Sequence, residues 1–239
     1  MSAKAKEWTL LFDLDGTLVD SAPDLIGTLN AVLATDGLPA LPLAQGRDLI
    51  GHGARALLRR GYETAGAPLD DDALDVRFAL FLELYVGRIA QLTQPYPGCV
   101  AALTALKAKG YTLAVTTNKR TDLSVALTDA LGLTGLFGCV YGPDRVSARK
   151  PDAAHLLEAI AACGGRPDRA LMVGDSSLDA GAAHAAGLPF VAVSFGYADV
   201  LISEMTPWAV LDHYAAFPAL VARCVGEREQ ALALAGSAG

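Results

Sequence analysis

The pattern of apolar and polar positions changes character along the chain. Trp8, Leu10, Leu11 and Phe12 form a short apolar run that predicts a buried strand. From Ser21, a candidate N-cap, Leu25, Ile26, Leu29, Val32 and Leu33 recur at helical spacing until Asp36-Gly37 and Pro39 end the run. Helical patterns follow over 43–50, 54–65 and 71–92, and no strand pattern interrupts 20–92. The segment Gln94-Pro95-Tyr96-Pro97-Gly98 predicts a stiff connection, and 99–109 a helix closed by Gly110. Strand and helix patterns then alternate, with strands over 111–116, 137–141, 170–173, 190–193 and 208–211. The intervening helices fall at 123–131, 153–162 and 178–186, and a final helix at 214–225. Such alternation predicts an α/β fold, a parallel sheet with helices on both faces. Residues 1–19 and 93–226 form the expected core, 20–92 an inserted helical cap, and 227–239, ending LALAGSAG, an expected disordered tail.

Ligands of parallel sheets bind outside the carboxyl ends of the strands, and polar residues collect there. The first strand runs into Asp13-Leu14-Asp15-Gly16-Thr17. Two carboxylates beside a glycine turn can converge on a hard cation. An isolated pair of this kind reads as a plain Asp-rich turn, but the full run LLFDLDGTLVDS, with its apolar strand, paired acids and Gly-Thr, favours the cation seat. The strand TLAVTT ends at Thr117-Asn118-Lys119, whose first two residues can donate to a phosphate or merely make a turn. In Arg149-Lys150-Pro151-Asp152, Pro151 suits the first position of a helix, which sets Lys150 at the rim and leaves Arg149 solvated. ALMVGDSSLDA closes an apolar strand with Gly174-Asp175, and Asp179 follows one helical turn later.

Composition narrows the partners. In 239 residues, 52% apolar content supports a sizeable core. The net charge of −7 argues against nucleic acid or an anionic membrane as partner. Cys99, Cys139, Cys163 and Cys224 are widely spaced and read as reduced thiols of a cytoplasmic protein. MSAKAKEW lacks the apolar stretch of a signal peptide, and no run of about 18 apolar residues predicts a membrane span.

The four polar strand ends, DLDGTLVDS, TTNK, the lysine of RKPD and VGDSSLDA, resemble in order the four motifs of the haloacid dehalogenase-like phosphohydrolases. The resemblance spans residues 8–225. It implies a Rossmann-like core and a helical cap placed after the first motif. It implies Mg²⁺ held by Asp13, Asp175 and the main-chain carbonyl of Asp15. Asp13 is then the nucleophile, Asp15 the general acid–base, and Thr117, Asn118 and Lys150 the groups around the phosphate. Asp179 either ligates through water or orients Lys150. The second acid, Asp15, sets the chain apart from the family's dehalogenases and favours phosphatase or phosphomutase chemistry.

The cap segment LIGHGARALL resembles that of bacterial phosphoglycolate phosphatases, with His52 where that group commonly has another residue. Backbone NH groups at Gly51 and Gly53, with Arg55, can receive a small carboxylate. The resemblance therefore implies hydrolysis of 2-phosphoglycolate. Other small phosphomonoesters, such as a sugar phosphate or N-acetylmuramic acid phosphate, and a β-phosphoglucomutase-like reaction are the alternatives. The expected partner is a small phosphorylated metabolite, and the expected assembly a monomer or homodimer.

Overall fold

The computed structural model describes residues 7–47 and 49–236. The chain opens with β1 (Thr9–Phe12), buried at every position. A two-residue strand, β2 (Val19–Asp20), leads into α1 (Ala22–Thr35), α2 (Leu43–Arg47), α3 (Ala54–Thr64) and α4 (Asp71–Val86). The chain returns through β3 (Gln94–Pro95) and α5 (Cys99–Ala108), then alternates: β4 (Thr112–Thr116), α6 (Thr121–Ala130), β5 (Cys139–Tyr141), α7 (Ala153–Ala162), β6 (Ala170–Gly174), α8 (Ser177–Ala185) and β7 (Phe190–Val193). β8 (Ala209–Leu211) and α9 (Phe217–Gly236) complete it.

The sheet is six-stranded, in the order β5-β4-β1-β6-β7-β8, and every pairing is parallel. Because side chains alternate along a strand, β1 is apolar toward both faces. Leu10 and Phe12 join a cluster with Leu103, Leu127, Phe217 and Val221, beneath α5, α6 and α9. Leu11 joins Leu156, Ile160, Ala182 and Ala183 of α7 and α8 on the other face. Helices α1, α3 and α4 bury a separate cluster including Leu25, Leu29, Leu57, Leu58, Leu74 and Phe81.

The two crossings between sheet and helical block lie side by side. Val19 pairs with Pro95 and Asp20 with Gln94, antiparallel. Buried Asp24 ties them, accepting from Leu92 N at 2.9 Å, Thr93 N at 2.8 Å and Thr93 Oγ1 at 2.8 Å. Tyr197 Oη reaches the first crossing, donating to Asp20 Oδ1 at 2.6 Å and accepting from Ala22 N at 2.9 Å.

Several expectations need correction. Ser21 precedes α1 but makes no capping bond, and its buried hydroxyl lacks a partner. α4 stops at Val86 rather than 92, and α2 at Arg47 rather than 50. α7 begins at Ala153, capped by the Asp152 carboxylate, so Pro151 lies ahead of the helix on a cis peptide from Lys150. Cys139 and Cys163 form a disulfide, because β5 and the end of α7 bring their Cα atoms within 6.4 Å; Cys99 and Cys224 are free and buried. The expected tail is helical through Gly236. Glu229 anchors it, accepting from Trp8 Nε1 at 3.2 Å and pairing with Arg169 Nε at 3.1 Å. Residues 1–6, most of the MSAKAKEW segment, and 237–239, the last of the expected disordered tail, lie outside the described residues. Among the described residues no helix is long and apolar enough to cross a membrane.

Candidate active site

Parallel register brings the strand ends to one level. Phe12 is paired with Val115 on one side and Val173 on the other. Asp13, Thr116-Thr117 and Gly174-Asp175 therefore leave adjacent strands together. Past Asp13 the chain turns at Gly16, where φ is +87° and a Cβ would stand 2.2 Å from Asp175 Oδ2. Only glycine permits that backbone to approach the carboxylate so closely. The turn also delivers Thr17, whose hydroxyl donates to Asp175 Oδ1 at 3.1 Å. Tyr197 N donates to Asp175 Oδ2 at 2.6 Å.

Lys150 lies at the centre, 2% exposed. Its ammonium donates to Asp13 Oδ1 at 2.8 Å, Thr116 O at 2.8 Å and Asp179 Oδ1 at 2.6 Å. An ammonium has three donors, so all are engaged. Burial opposes the charge, but Asp13 and Asp179 outweigh it and the Lys150 pKa is raised. Asp179 therefore touches Lys150 directly. Its other oxygen accepts from Ser176 Oγ at 2.6 Å and Ser176 N at 3.1 Å, and Asp179 N donates back to Ser176 Oγ at 3.4 Å, completing a capping box that holds the carboxylate at the start of α8.

The main chain of Lys150 is held as well. Its N–H donates to His155 Nδ1 at 3.2 Å, and His155 Nε2 lies 3.1 Å from Tyr141 O. That pattern requires a neutral ring protonated at Nε2. Burial, reinforced by the Lys150 charge, pushes the His155 pKa down to about 4.

Asp13, Asp175 and Asp179 each offer an oxygen, all within 4.8 Å of one another. Burial pushes the Asp13 carboxyl up to about 6, with Lys150 opposing and Asp179 adding. Burial, then Asp13 and Asp179, raises Asp175 well above the carboxylate range. Lys150 reaches Asp13 and Asp179 but makes no bond to Asp175. Buried carboxylates facing each other are a donor set for a hard divalent cation, and with Asp179 committed to Lys150 the set fits Mg²⁺ on Asp13 and Asp175.

A cavity of 210 Å³ opens above Asp13 and Asp15, between sheet and helical block. Leu25, Ile50, Phe78 and Phe81 line its cap side. Thr117, Asn118, Gly51, Gly53 and Arg55 also border it. Thr117 Oγ1 accepts from Lys119 N at 3.2 Å, and Asn118 Nδ2 donates to Lys150 O at 3.1 Å, while Asn118 Oδ1 is buried without a partner. Gly51 and Gly53 take φ of +113° and +88°. Arg55 pairs within the helical block, with Asp75 and, at 3.6 Å, Asp71. His52 Nε2 lies 3.4 Å from Asp199 Oδ2, bridging cap loop and core.

Some residues of the site carry no role in the sequence reading. Lys119 sits in TTNK, and its ammonium lies 3.2 Å from both Asp15 oxygens and 2.7 Å from Tyr85 Oη. Thr17 follows Gly16 directly. Tyr85, Tyr197 and His155 read as ordinary helix and loop residues, and only the tertiary fold brings them here.

Comparison with known proteins agrees with this geometry. A family model described as haloacid dehalogenase-like hydrolase matches residues 10–193. The chain is 51% identical over 191 residues to a phosphoglycolate phosphatase of Caulobacter vibrioides, covering 80% of this chain and 81% of that protein. It is 45% identical over 205 residues to one from Mesorhizobium japonicum, covering 86% and 90%. A crystal structure from Haemophilus somnus 129PT, described as a predicted phosphoglycolate phosphatase, superposes with a TM-score of 0.84 at 32% identity, covering 92% of this chain and 99% of that one. The match takes in all four strand ends, from the Asp13 turn to β7, and the chain belongs to the haloacid dehalogenase-like hydrolase family.

Proposed function

We propose that the protein is a Mg²⁺-dependent phosphatase that hydrolyses 2-phosphoglycolate to glycolate and phosphate. The observation that carries the reading is Asp13: a buried carboxylate at a strand end, 2.8 Å from the Lys150 ammonium, facing Asp175 and opening on a cavity that also holds Asp15. A carboxylate so placed can attack phosphorus and carry the phosphoryl group as an aspartyl phosphate. The P–O bond to the leaving alcohol breaks as the Asp13–phosphorus bond forms. Asp15 protonates the leaving oxygen and later takes a proton from the water that attacks phosphorus, as the bond from phosphorus to the Asp13 oxygen breaks and phosphate leaves. Lys150 balances the charge on Asp13 and on the transferring oxygens, and Thr117 and Asn118 orient them. Asp13, Asp175 and the Asp15 main-chain carbonyl would hold Mg²⁺, which offsets the repulsion between anionic nucleophile and anionic phosphate.

The substrate is argued from the cap and from relatives named phosphoglycolate phosphatase at up to 51% identity. Gly51, Gly53 and Arg55 border the cavity from the cap side, where a small acid's carboxylate can meet backbone N–H groups and positive charge. The test is phosphate release from a panel of small phosphomonoesters, with Mg²⁺ and with EDTA. Release from 2-phosphoglycolate above the others, lost in EDTA, is expected. Broad release without preference removes the substrate assignment, and isomerised hexose phosphate without free phosphate makes the protein a mutase.

A further inference from the structure

The cavity contains a cation that the chemistry above leaves unused. Lys119 Nζ lies 3.2 Å from both oxygens of Asp15 and 2.7 Å from Tyr85 Oη, and its side chain is 8% exposed. The contacts to Asp15 are long for a charged pair, which usually closes to about 2.7–2.9 Å. Lys150, by comparison, reaches its two carboxylates at 2.8 and 2.6 Å. Lys119 is therefore aimed by a neutral hydroxyl and only loosely matched by a carboxylate. A forked contact of this kind leaves it able to take a second anion.

The other cations bordering the cavity are less suited to that task. Lys150 is fully engaged by Asp13, Thr116 and Asp179. Arg55 pairs with Asp75 and Asp71, with its side chain 41% exposed. Arg120 pairs with Asp122 at 3.0 Å, with its side chain 53% exposed. Arg149 is exposed. A charge–charge contact in water is worth little, whereas one made by the buried Lys119 ammonium is worth more.

Position points the same way. With a phosphoryl group at Asp13, the ester oxygen lies beside Asp15. In 2-phosphoglycolate the carboxylate stands one methylene beyond that oxygen. Lys119 Nζ stands one hydrogen bond beyond the Asp15 carboxylate, and both spans are of the order of 3 Å. We infer that Lys119, aimed by Tyr85 of α4, receives the substrate's carboxylate from the core side while the Gly51 and Gly53 N–H groups meet it from the opposite side, and that Lys119 rather than Arg55 is the main source of selectivity for acidic phosphomonoesters. This rests on the roles proposed above for Asp13 and Asp15. It also gives the cap a part in recognition through Tyr85, which comes from the helical block while Lys119 comes from the loop that follows β4.

The test compares kcat/KM for 2-phosphoglycolate and ethyl phosphate, which keeps the two-carbon tail and lacks the carboxylate. The readout is the ratio of the two values, so a general loss through Asp15 cancels. In Lys119→Gln the ratio should fall roughly ten- to hundredfold, the worth of one charged hydrogen bond. Lys119→Arg should restore part of it. Tyr85→Phe, which removes only the aiming hydroxyl, should lower it about three- to tenfold. Arg55→Ala should change it less than Lys119→Gln does. An unchanged ratio in both Lys119→Gln and Tyr85→Phe overturns the inference, as does a larger fall in Arg55→Ala. A wild-type enzyme that cleaves both esters equally overturns the acidic-substrate reading together with this one. One that cleaves neither overturns the phosphatase reading itself.

Discussion

The Lys150 ammonium donates to Asp179 Oδ1 at 2.6 Å, and the Asp179 carboxylate is fully buried. The same ammonium holds Asp13, so a residue that touches no reacting atom sets the geometry of the proposed nucleophile. Asp179→Asn weakens this arrangement and halves the capping box of α8. Breaking a buried charge pair costs about 3–5 kcal/mol, and the conservative amide should sit at the lower end. The expected outcome is a fall in urea-unfolding free energy of about 3 kcal/mol with kcat down about tenfold or more. Wild-type stability with wild-type kcat would remove Asp179 from this role.

His155 makes stability depend on pH. Its folded pKa is depressed to about 4 from 6.5. Between these values the unfolded chain binds a proton that the folded protein refuses. Stability from this residue is therefore complete above pH 6.5 and is lost as pH falls toward 4. A fall from 6.5 to about 4 corresponds to about 3 kcal/mol. Urea unfolding of wild type and His155→Gln at pH 7, 5.5 and 4.5 should show the wild type losing more stability on acidification. Parallel pH profiles would contradict the neutral assignment.

Gly16 carries the chain past Asp175 with no room for a side chain. A Cβ there would meet Asp175 Oδ2 at 2.2 Å and Tyr197 Cδ2 at 2.8 Å, at a φ of +87°. Gly16→Ala should displace Asp175, and a displacement near 1 Å at a reacting centre costs about a hundredfold in rate. The variant should keep its far-UV circular dichroism and lose turnover. Near-wild-type turnover would mean that the turn relaxes without moving the carboxylate.

The C-terminal helix ties back to the first strand. Glu229 accepts from Trp8 Nε1 at 3.2 Å and pairs with Arg169 Nε at 3.1 Å. Ending the chain after Gly226 removes these contacts, and a net hydrogen bond is worth about 1 kcal/mol. A lowered thermal midpoint is expected. An unchanged midpoint would show that the last turns of α9 contribute nothing to the core.

Much of this was legible in the sequence, and the rest has a physical reason for being hidden. Leu10, Leu11 and Phe12 announce a strand buried on both faces, and DLDGT, GDSSLDA and RKP lie where a parallel sheet gathers its ligands. β2 and β3 are two residues each, too short for any periodicity, although they carry both crossings to the helical block. The Cys139–Cys163 pairing spans 24 residues and depends on how α7 packs against β5. The Ala- and Leu-rich end of α9 resembles a frayed tail, but good helix formers and one buried contact to Trp8 keep it helical. Tyr85, Lys119 and Asp15 meet across 104 and 34 positions of sequence, and no local pattern records such a meeting.

The most direct test is turnover by Asp13→Asn. Phosphate release from 2-phosphoglycolate in Mg²⁺ should be undetectable in this variant and clear in the wild type, because an amide cannot form the aspartyl phosphate. Quenched wild-type turnover should show the added phosphoryl mass on the peptide carrying Asp13. Retained release by Asp13→Asn, or a phosphoryl group found on another residue, would contradict the account at its centre.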